Sequence, residues 1–186
     1  TKSFLDNIDS KIINLPNYDL YILLNNNNHL QIVISNESSL KEQYEKILKI
    51  EDQFGKKFKF SFSNKYGFLT QNIRNSGLGL KLSTLIHIPG IIFNNSENGQ
   101  TKELIKKGYY PRLWKNLKEN KFYYLINSRI NYGISEDKLI ERFNYGLEKI
   151  VEMDKIFFCE YYNNHKENID DIIHKSYGIL KYSKKN

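Results

Sequence analysis

Apolar positions along the chain fall into short runs separated by polar turns, and the spacing within those runs changes from segment to segment. Residues 19–24 and 30–35 are β-branched and apolar, and Asn25-Asn26-Asn27-Asn28-His29 lies between them. That pattern predicts a β-hairpin closed by a polar turn. Ser38 and Ser39 then precede apolar residues at helical spacing, Leu40, Tyr44, Ile47, Leu48 and Phe54. The spacing predicts a capped helix ended by Gly55. Phe58, Phe60 and Phe62 alternate with polar residues, which predicts a strand with residues 66–70 as its hairpin partner.

A polar loop over 71–79 leads into an apolar strand or buried segment over 82–88, closed by Pro89-Gly90. Thr101 is placed to cap a short helix that stops at Gly108, and residues 121–127 read as a strand. Ser135-Glu136-Asp137 puts acid into the first turn of a long helix, which suits the helix dipole. Leu139, Phe143, Leu147, Ile150 and Val151 give that helix a core face. A last helix carries Ile169, Ile172 and Ile173, and the polar tail from 181 is expected to fray. Hairpins mixed with helices, without a βαβ rhythm, predict an α+β fold. Its sheet is expected to be mainly antiparallel and flanked by helices, in a single domain over 1–186.

Composition narrows the function classes. The chain has 186 residues, 40% of them hydrophobic, which suffices for one buried core. One cysteine, Cys159, excludes a disulfide framework and a cysteine-based zinc site. No apolar run is long enough to span a membrane, and no leader segment is visible, so a cytoplasmic setting is expected. The net charge of +7 suggests nucleic acid. Against that, only Arg74, Arg112, Arg129 and Arg142 are arginines, and the lysines are scattered. A nucleic-acid module would require affinity that falls steeply with salt, and no base-reading motif is present.

The four histidines, His29, His87, His165 and His174, have no metal-ligand spacing, so no metal site is expected. Cys159 follows Ile156-Phe157-Phe158 and is expected to be buried and inert. Trp114 beside Arg112 suits a core position as well as stacking on a base. The segment with most chemical content runs from Tyr66 to Lys81. A strand enters a loop with Asn75, Gly77 and Gly79, and the cation Lys81 follows. Glycines let backbone N–H groups approach an anion, although ordinary turns use the same residues.

These residues carry a resemblance. Gly67-Phe68-Leu69-Thr70, then Asn75, Gly77, Gly79 and Leu80, then His87-Ile88-Pro89, stand in the order found in the phosphagen (ATP:guanido) kinase superfamily. There a G-Y-L-T strand runs into C-P-T-N-x-G-T-G-L-R and an apolar segment ending in H-L-P. The stretch from Asn25 to Leu30 is similar to the N-E-E-D-H-L turn of that family. Lys175-Ser176-Tyr177-Gly178-Ile179-Leu180 resembles the R-S-Y-G-I-L of bacterial protein-arginine kinases. The resemblance implies an antiparallel sheet flanked by helices, related to the glutamine synthetase catalytic domain. It further implies Mg-ATP or ADP as cofactor, arginine-containing protein substrates, and Clp quality-control components as partners. By family position, Lys81, Arg112, Asn75, Gly77, Gly79, Ser83 and Leu85 would contact the nucleotide.

The departures lie at the charged positions. The family's turn carries the glutamate that holds the guanidinium and acts as base; Asn26 and Asn27 stand there. An amide is neutral and takes up no proton near pH 7. The family's cysteine falls on Asn72, one phosphate arginine on Gln31, and another on Lys81. Lysine keeps the charge and loses the bidentate fork. A third phosphate arginine matches Arg112. The Gly-Glu loop that follows it in the family is replaced by 113–119, leaving Glu119 as a loose substitute for the acid. The upstream S-S-R-x-R motif is not in this sequence, which begins at Thr1, so the chain reads as a partial domain. The expectation is a degenerate protein-arginine-kinase-like domain that is catalytically impaired and acts by binding nucleotide or protein partners. The alternative is an active ATP-dependent phosphotransferase to protein arginine, or to another guanidino group, in the full-length protein.

Overall fold

A computed structural model describes residues 10–26, 28–36, 38–70, 75–94, 105, 109–113, 122–128 and 132–183. Among them eight strands and four helices follow in the order β1 (Lys11–Leu15), β2 (Leu20–Leu24), β3 (Leu30–Ile34), α1 (Leu40–Gly55), β4 (Phe62–Ser63), β5 (Gly67–Phe68), β6 (Ser83–His87), α2 (Pro89–Phe93), β7 (Tyr109–Leu113), β8 (Tyr123–Ser128), α3 (Glu136–Asn164) and α4 (Lys166–Tyr182). The described strands form an antiparallel β1-β2-β3 sheet, the β4-β5 hairpin and a β6-β8-β7 sheet in which β6 and β8 are antiparallel. No helix of the described residues is long and apolar enough to cross a membrane.

Two compact units emerge from the contacts. One comprises Thr1–Leu82 and Ser128–Phe143, the other Ser83–Asn127 and Asn144–Asn186. In the first, the expected hairpin is present, with Leu24 opposite Leu30 and Leu20 opposite Ile34. Leu20, Ile22, Leu23, Leu82, Leu139, Ile140 and Phe143 are buried there. Strand β1, which the residue pattern did not indicate, adds to the outside of β2. It is an edge strand with mostly exposed side chains, so it carries no alternation to read.

Helix α1 begins as expected. Ser39 Oγ accepts the Glu42 N–H at 3.2 Å, and the Glu42 carboxylate accepts the Ser39 N–H at 3.2 Å, a complete capping box. It ends at Gly55, as expected, with a right-handed Lys56 following, whose N–H returns to the Asp52 and Phe54 carbonyls. Leu48, placed on the core face by its spacing, is exposed. The expected 58–62 strand shrinks to β4 for the same local reason. The N–H groups of Lys57 and Phe58 both bond back to the Phe54 carbonyl, so the chain is still turning where the alternation begins. Phe58 and Phe62 remain largely exposed.

In the second unit Ile88, Ile91, Tyr109, Tyr124, Ile126 and Ile150 are buried. Pro89-Gly90 opens α2 instead of closing the preceding segment, with Pro at a helix-start position where its missing N–H is not needed. Strand β7, which contains Pro111, was not anticipated, because proline demotes a run as a strand. Within α3, Gly146 and Asp154 join Ile150 on the buried face. Val151 is exposed, as is Cys159, contrary to the expectation of burial; both sit outside the row 146, 150, 154. Helix α4 forms, yet Ile172 and Ile173 are exposed, and it runs on to Tyr182 past the expected start of fraying. The expected helix between Thr101 and Gly108, apart from Ile105, and Trp114 lie outside the described residues.

Candidate functional site

The first unit carries the polar turn and the glycine loop. Asn25 adopts a left-handed φ of 52°, and its N–H donates to the His29 carbonyl at 3.1 Å, closing the turn between β2 and β3. Asn26 is 5% exposed. Its Nδ2 donates to Gln31 Oε1 at 3.1 Å. Asn26, which with Asn27 stands where the resemblance expects the acid, is thus hydrogen-bonded to Gln31, where it expects an arginine. Asn28 Oδ1 accepts Asn75 Nδ2 at 3.3 Å, which ties this turn to the start of the glycine loop. Four amide side chains, on 26, 31, 28 and 75, thus form two of the polar contacts of this region.

The loop is set by backbone geometry. Phe68 and Gly77 exchange N–H···O bonds of 2.8 and 3.0 Å, an isolated bridge that brings the loop back onto β5. Gly77 has φ 118° and Gly79 φ 70°, conformations that L side chains rarely adopt. The Thr70 N–H donates to Ser76 Oγ at 3.2 Å across the loop's base. Beyond it Lys81 is exposed, while its neighbour Leu82 is buried and fixed: the Leu82 N–H donates to Ser128 Oγ at 3.0 Å and its carbonyl accepts the Ser128 N–H at 2.8 Å. Sequence reasoning missed Ser128, whose role appears only once β8 is placed.

The second unit carries Ser83 and Leu85 on β6 and Arg112 on β7, all three exposed. Ser83 Oγ donates to Asn127 Oδ1 at 2.8 Å, and Asn127 Nδ2 donates to the Tyr110 carbonyl at 3.3 Å. Asn127, another residue the sequence did not single out, so fixes Ser83 against β8 and holds β7 two residues from Arg112. Among the described residues neither Lys81 nor Arg112 forms an ion pair. Asn27, Asn72 and Glu119 lie outside the described residues. No group of three His, Cys, Asp or Glu side chains among the described residues is placed to hold a metal.

One buried acid was not anticipated. Asp154 on α3 is 8% exposed, and its Oδ1 accepts the Ile91 N–H at 2.9 Å. Burial pushes its carboxyl above the ordinary aspartate value, while the N–H groups of Ile91 and Gly90 and the nearby His87 act in the opposite sense. Asp154 caps α2 at the corner that follows β6. At the other end of α2, Asn94 Nδ2 donates to the Phe157 carbonyl at 2.8 Å.

The fold is that of the guanido kinases. A taurocyamine kinase from Schistosoma mansoni, solved with bound transition-state-analogue components, superimposes with a TM-score of 0.69 at 21% identity, over 82% of this chain and 22% of that one. A lombricine kinase gives a TM-score of 0.65 at 15% identity, over 83% of this chain and 44% of the other. The sequence places the chain more narrowly. The model of the ATP:guanido phosphotransferase C-terminal catalytic domain matches residues 4–157, and the chain belongs to that family. The protein-arginine kinase of Clostridium acetobutylicum is 30% identical over 165 residues, covering 87% of this chain and 48% of that protein. That of Clostridium kluyveri is 26% identical over 185 residues, covering 97% and 54%. The chain spans about half the length of the curated relatives it matches.

Proposed function

We propose that this chain is a protein-arginine-kinase-like domain in which phosphoryl transfer is impaired and which acts by binding nucleotide or protein partners. The observation that carries the reading is the hydrogen bond from buried Asn26 to half-buried Gln31: Asn26 is one of the two residues, with Asn27, that stand where the resemblance calls for the carboxylate, and Gln31 stands where it calls for an arginine. Transfer of a phosphoryl group depends on positioning and charge neutralisation more than on covalent chemistry. A carboxylate there would pair with a guanidinium and take its proton; an amide does neither. Loss of one preorganised charge contact costs about 3–4 kcal/mol of barrier. The exchanged positions act as a unit, so their effects do not sum.

The nucleotide half is better preserved. Lys81 and Arg112 are exposed cations, Lys81 beside a residue held by a buried hydrogen bond and Arg112 on a strand held by a part-buried one, and they suit phosphate oxygens. Gly77 and Gly79 suit close approach of backbone N–H groups, and Ser83 and Leu85 would line the adenine side. Mg-ATP, when bound, would supply the transferable phosphoryl group, and these residues would hold and orient it. Protein substrates bearing arginine, and components of Clp-dependent quality control, are the partners this reading implies.

A second reading is favoured by the relatives' names, protein-arginine kinase. In it the full-length protein transfers phosphate to protein arginine, with Glu119 or a segment outside this sequence supplying the acid. One experiment separates the two. The chain is titrated calorimetrically with Mg-ADP and, in parallel, incubated with Mg-ATP and an arginine-rich protein while phosphoarginine is measured. The first reading expects ADP binding at about 1 mM or tighter, weakened by Arg112→Ala, and no phosphoarginine. Phosphoarginine formation abolished by Asn26→Ala would overturn it. No binding up to millimolar nucleotide would remove the nucleotide and leave the protein partner.

A further inference from the structure

Strand β6 presents an exposed face in the second unit. Ser83 and Leu85 lie two residues apart, so both side chains leave the strand on the same side, and both are exposed. Asn127 of β8 stands directly opposite Ser83 in the antiparallel register and is only 8% exposed. An exposed serine ordinarily turns its hydroxyl proton to suit whatever partner arrives, since the group both donates and accepts. Asn127 removes that freedom from Ser83.

Proton counting shows how. The Tyr110 carbonyl has no proton to give, so the Asn127 group that faces it at 3.3 Å is the amide NH2. Asn127 Oδ1 then faces Ser83, and the 2.8 Å bond between them needs a proton that only the Ser83 hydroxyl can supply. With its one proton committed inward, Ser83 Oγ offers a ligand lone pairs alone. The amide cannot turn over to release the serine without also breaking its bond to the neighbouring strand.

We propose, resting on the adenine-side placement of Ser83 and Leu85, that Asn127 is a positioning residue that fixes Ser83 as an acceptor and so sets the base preference of the nucleotide site. A 6-amino purine brings an N–H to Ser83 Oγ. A 6-oxo purine brings a second acceptor, and two sets of lone pairs then face each other. Leu85 packs against either ring face alike and carries no preference. Sites that hydrogen-bond a ligand reject analogues lacking the matching group more strongly than apolar pockets do, because a polar group is left unpaired. Ser83 is exposed, so water relieves part of that cost, and the expected preference for the amino purine is about 10-fold.

Competitive calorimetry on the full chain tests this. Mg-ADP is titrated alone and against Mg-IDP, which carries O6 and N1–H where ADP carries the amine and a bare N1. The wild type is expected to bind ADP about 10-fold more tightly than IDP. Ser83→Ala, at an exposed position, is expected to bring the two within about 2-fold. Asn127→Val removes the acceptor and lets the serine hydroxyl turn outward to donate to O6, so it is expected to lower the ratio to about 2-fold as well. Asn127→Asp keeps an acceptor for Ser83 and is expected to keep the preference, whatever it does to overall affinity. A purely structural Asn127 would weaken both nucleotides together and leave their ratio unchanged. Equal binding of ADP and IDP by the wild type overturns the proposal and leaves nucleotide binding itself standing; binding of neither removes both. A preference that survives Ser83→Ala overturns the proposal too, and that comparison holds even where an Asn127 variant does not fold. A preference that survives Asn127→Val overturns the part given to Asn127.

Discussion

Replacing Asp154 by alanine tests how the corner after β6 is held. The carboxylate is 8% exposed and its Oδ1 accepts the Ile91 N–H at 2.9 Å. Removing it leaves backbone donors at the start of α2 without their acceptor in a buried setting. A hydrogen bond to a charged group contributes about 1.5–3 kcal/mol, and an unsatisfied buried donor costs about 1–3 kcal/mol. Part of that is returned, because the carboxylate no longer has to be desolvated. Asp154→Ala is therefore expected to destabilise by about 2 kcal/mol, and Asp154→Asn, which keeps an acceptor oxygen, by about half as much. Urea unfolding followed by circular dichroism reads the midpoint shift, and amide hydrogen exchange reads the Ile91 N–H directly. A midpoint change worth less than about 0.5 kcal/mol, or an Ile91 amide that stays protected in Asp154→Ala, would refute the reasoning.

The same residue makes a pH prediction of definite sign. Its native carboxyl is raised above the ordinary value near 3.8, with burial as the largest cause. Between that value and the raised native one, the native state binds the proton that the unfolded chain has lost. Stability therefore falls as pH rises through this window. Asp154→Asn has no such proton, so the stability difference between wild type and variant is expected to shift against the wild type over the window and be flat above and below it.

The remaining predictions concern the first unit. Gly67→Ala places a methyl group against the Gly77 carbonyl at a φ of 71°; it is expected to cost about 2–3 kcal/mol and to break the Phe68–Gly77 bridge, read by unfolding and by exchange of the Gly77 amide. Ser39→Ala removes the acceptor of the α1 capping box and is expected to cost about 1 kcal/mol in the same unfolding assay. Burial, then the charge of Glu136, holds the Glu51 carboxyl above its ordinary value; Glu51→Gln is expected to be more stable than wild type near pH 7, with the difference vanishing below about pH 4.

Which elements the sequence disclosed follows from how they are buried. The β2-β3 hairpin and the serine cap of α1 are local devices: an apolar run, a polar turn, a serine before apolar residues at helical spacing. They are legible because their physics is contained in a few consecutive residues. Strands β1 and β7 lie at sheet edges and keep mostly exposed side chains, so no periodicity marks them. The phenylalanine alternation at 58–62 misled because it has no buried face, and the backbone there is still closing the end of α1. The apolar run before Cys159 likewise does not fix which side of a 29-residue helix faces inward.

The site shows the converse. Its amide substitutions can be read at once from the sequence, yet what the amides do cannot. Asn26 pairs with Gln31, and Asn28 with the retained Asn75, so each of these amides has an amide partner. Had only the acid been replaced, an arginine at position 31 would have faced a neutral partner in a partly buried place, which is costly. The tie between the turn and the glycine loop is the separate Asn75–Asn28 bond, so on the proposed reading amides at 26 and 31 give up charge without touching that tie. The polar contacts that keep these strands and loops in register are therefore separable from the charges that move a phosphoryl group. The fold is recognisable at TM-scores of 0.65–0.69 with amides at positions 26 and 31. The separation sets a specific expectation for repair: Asn26→Glu alone should leave a carboxylate against the Gln31 amide. Only together with Gln31→Arg would the two positions carry opposite charges.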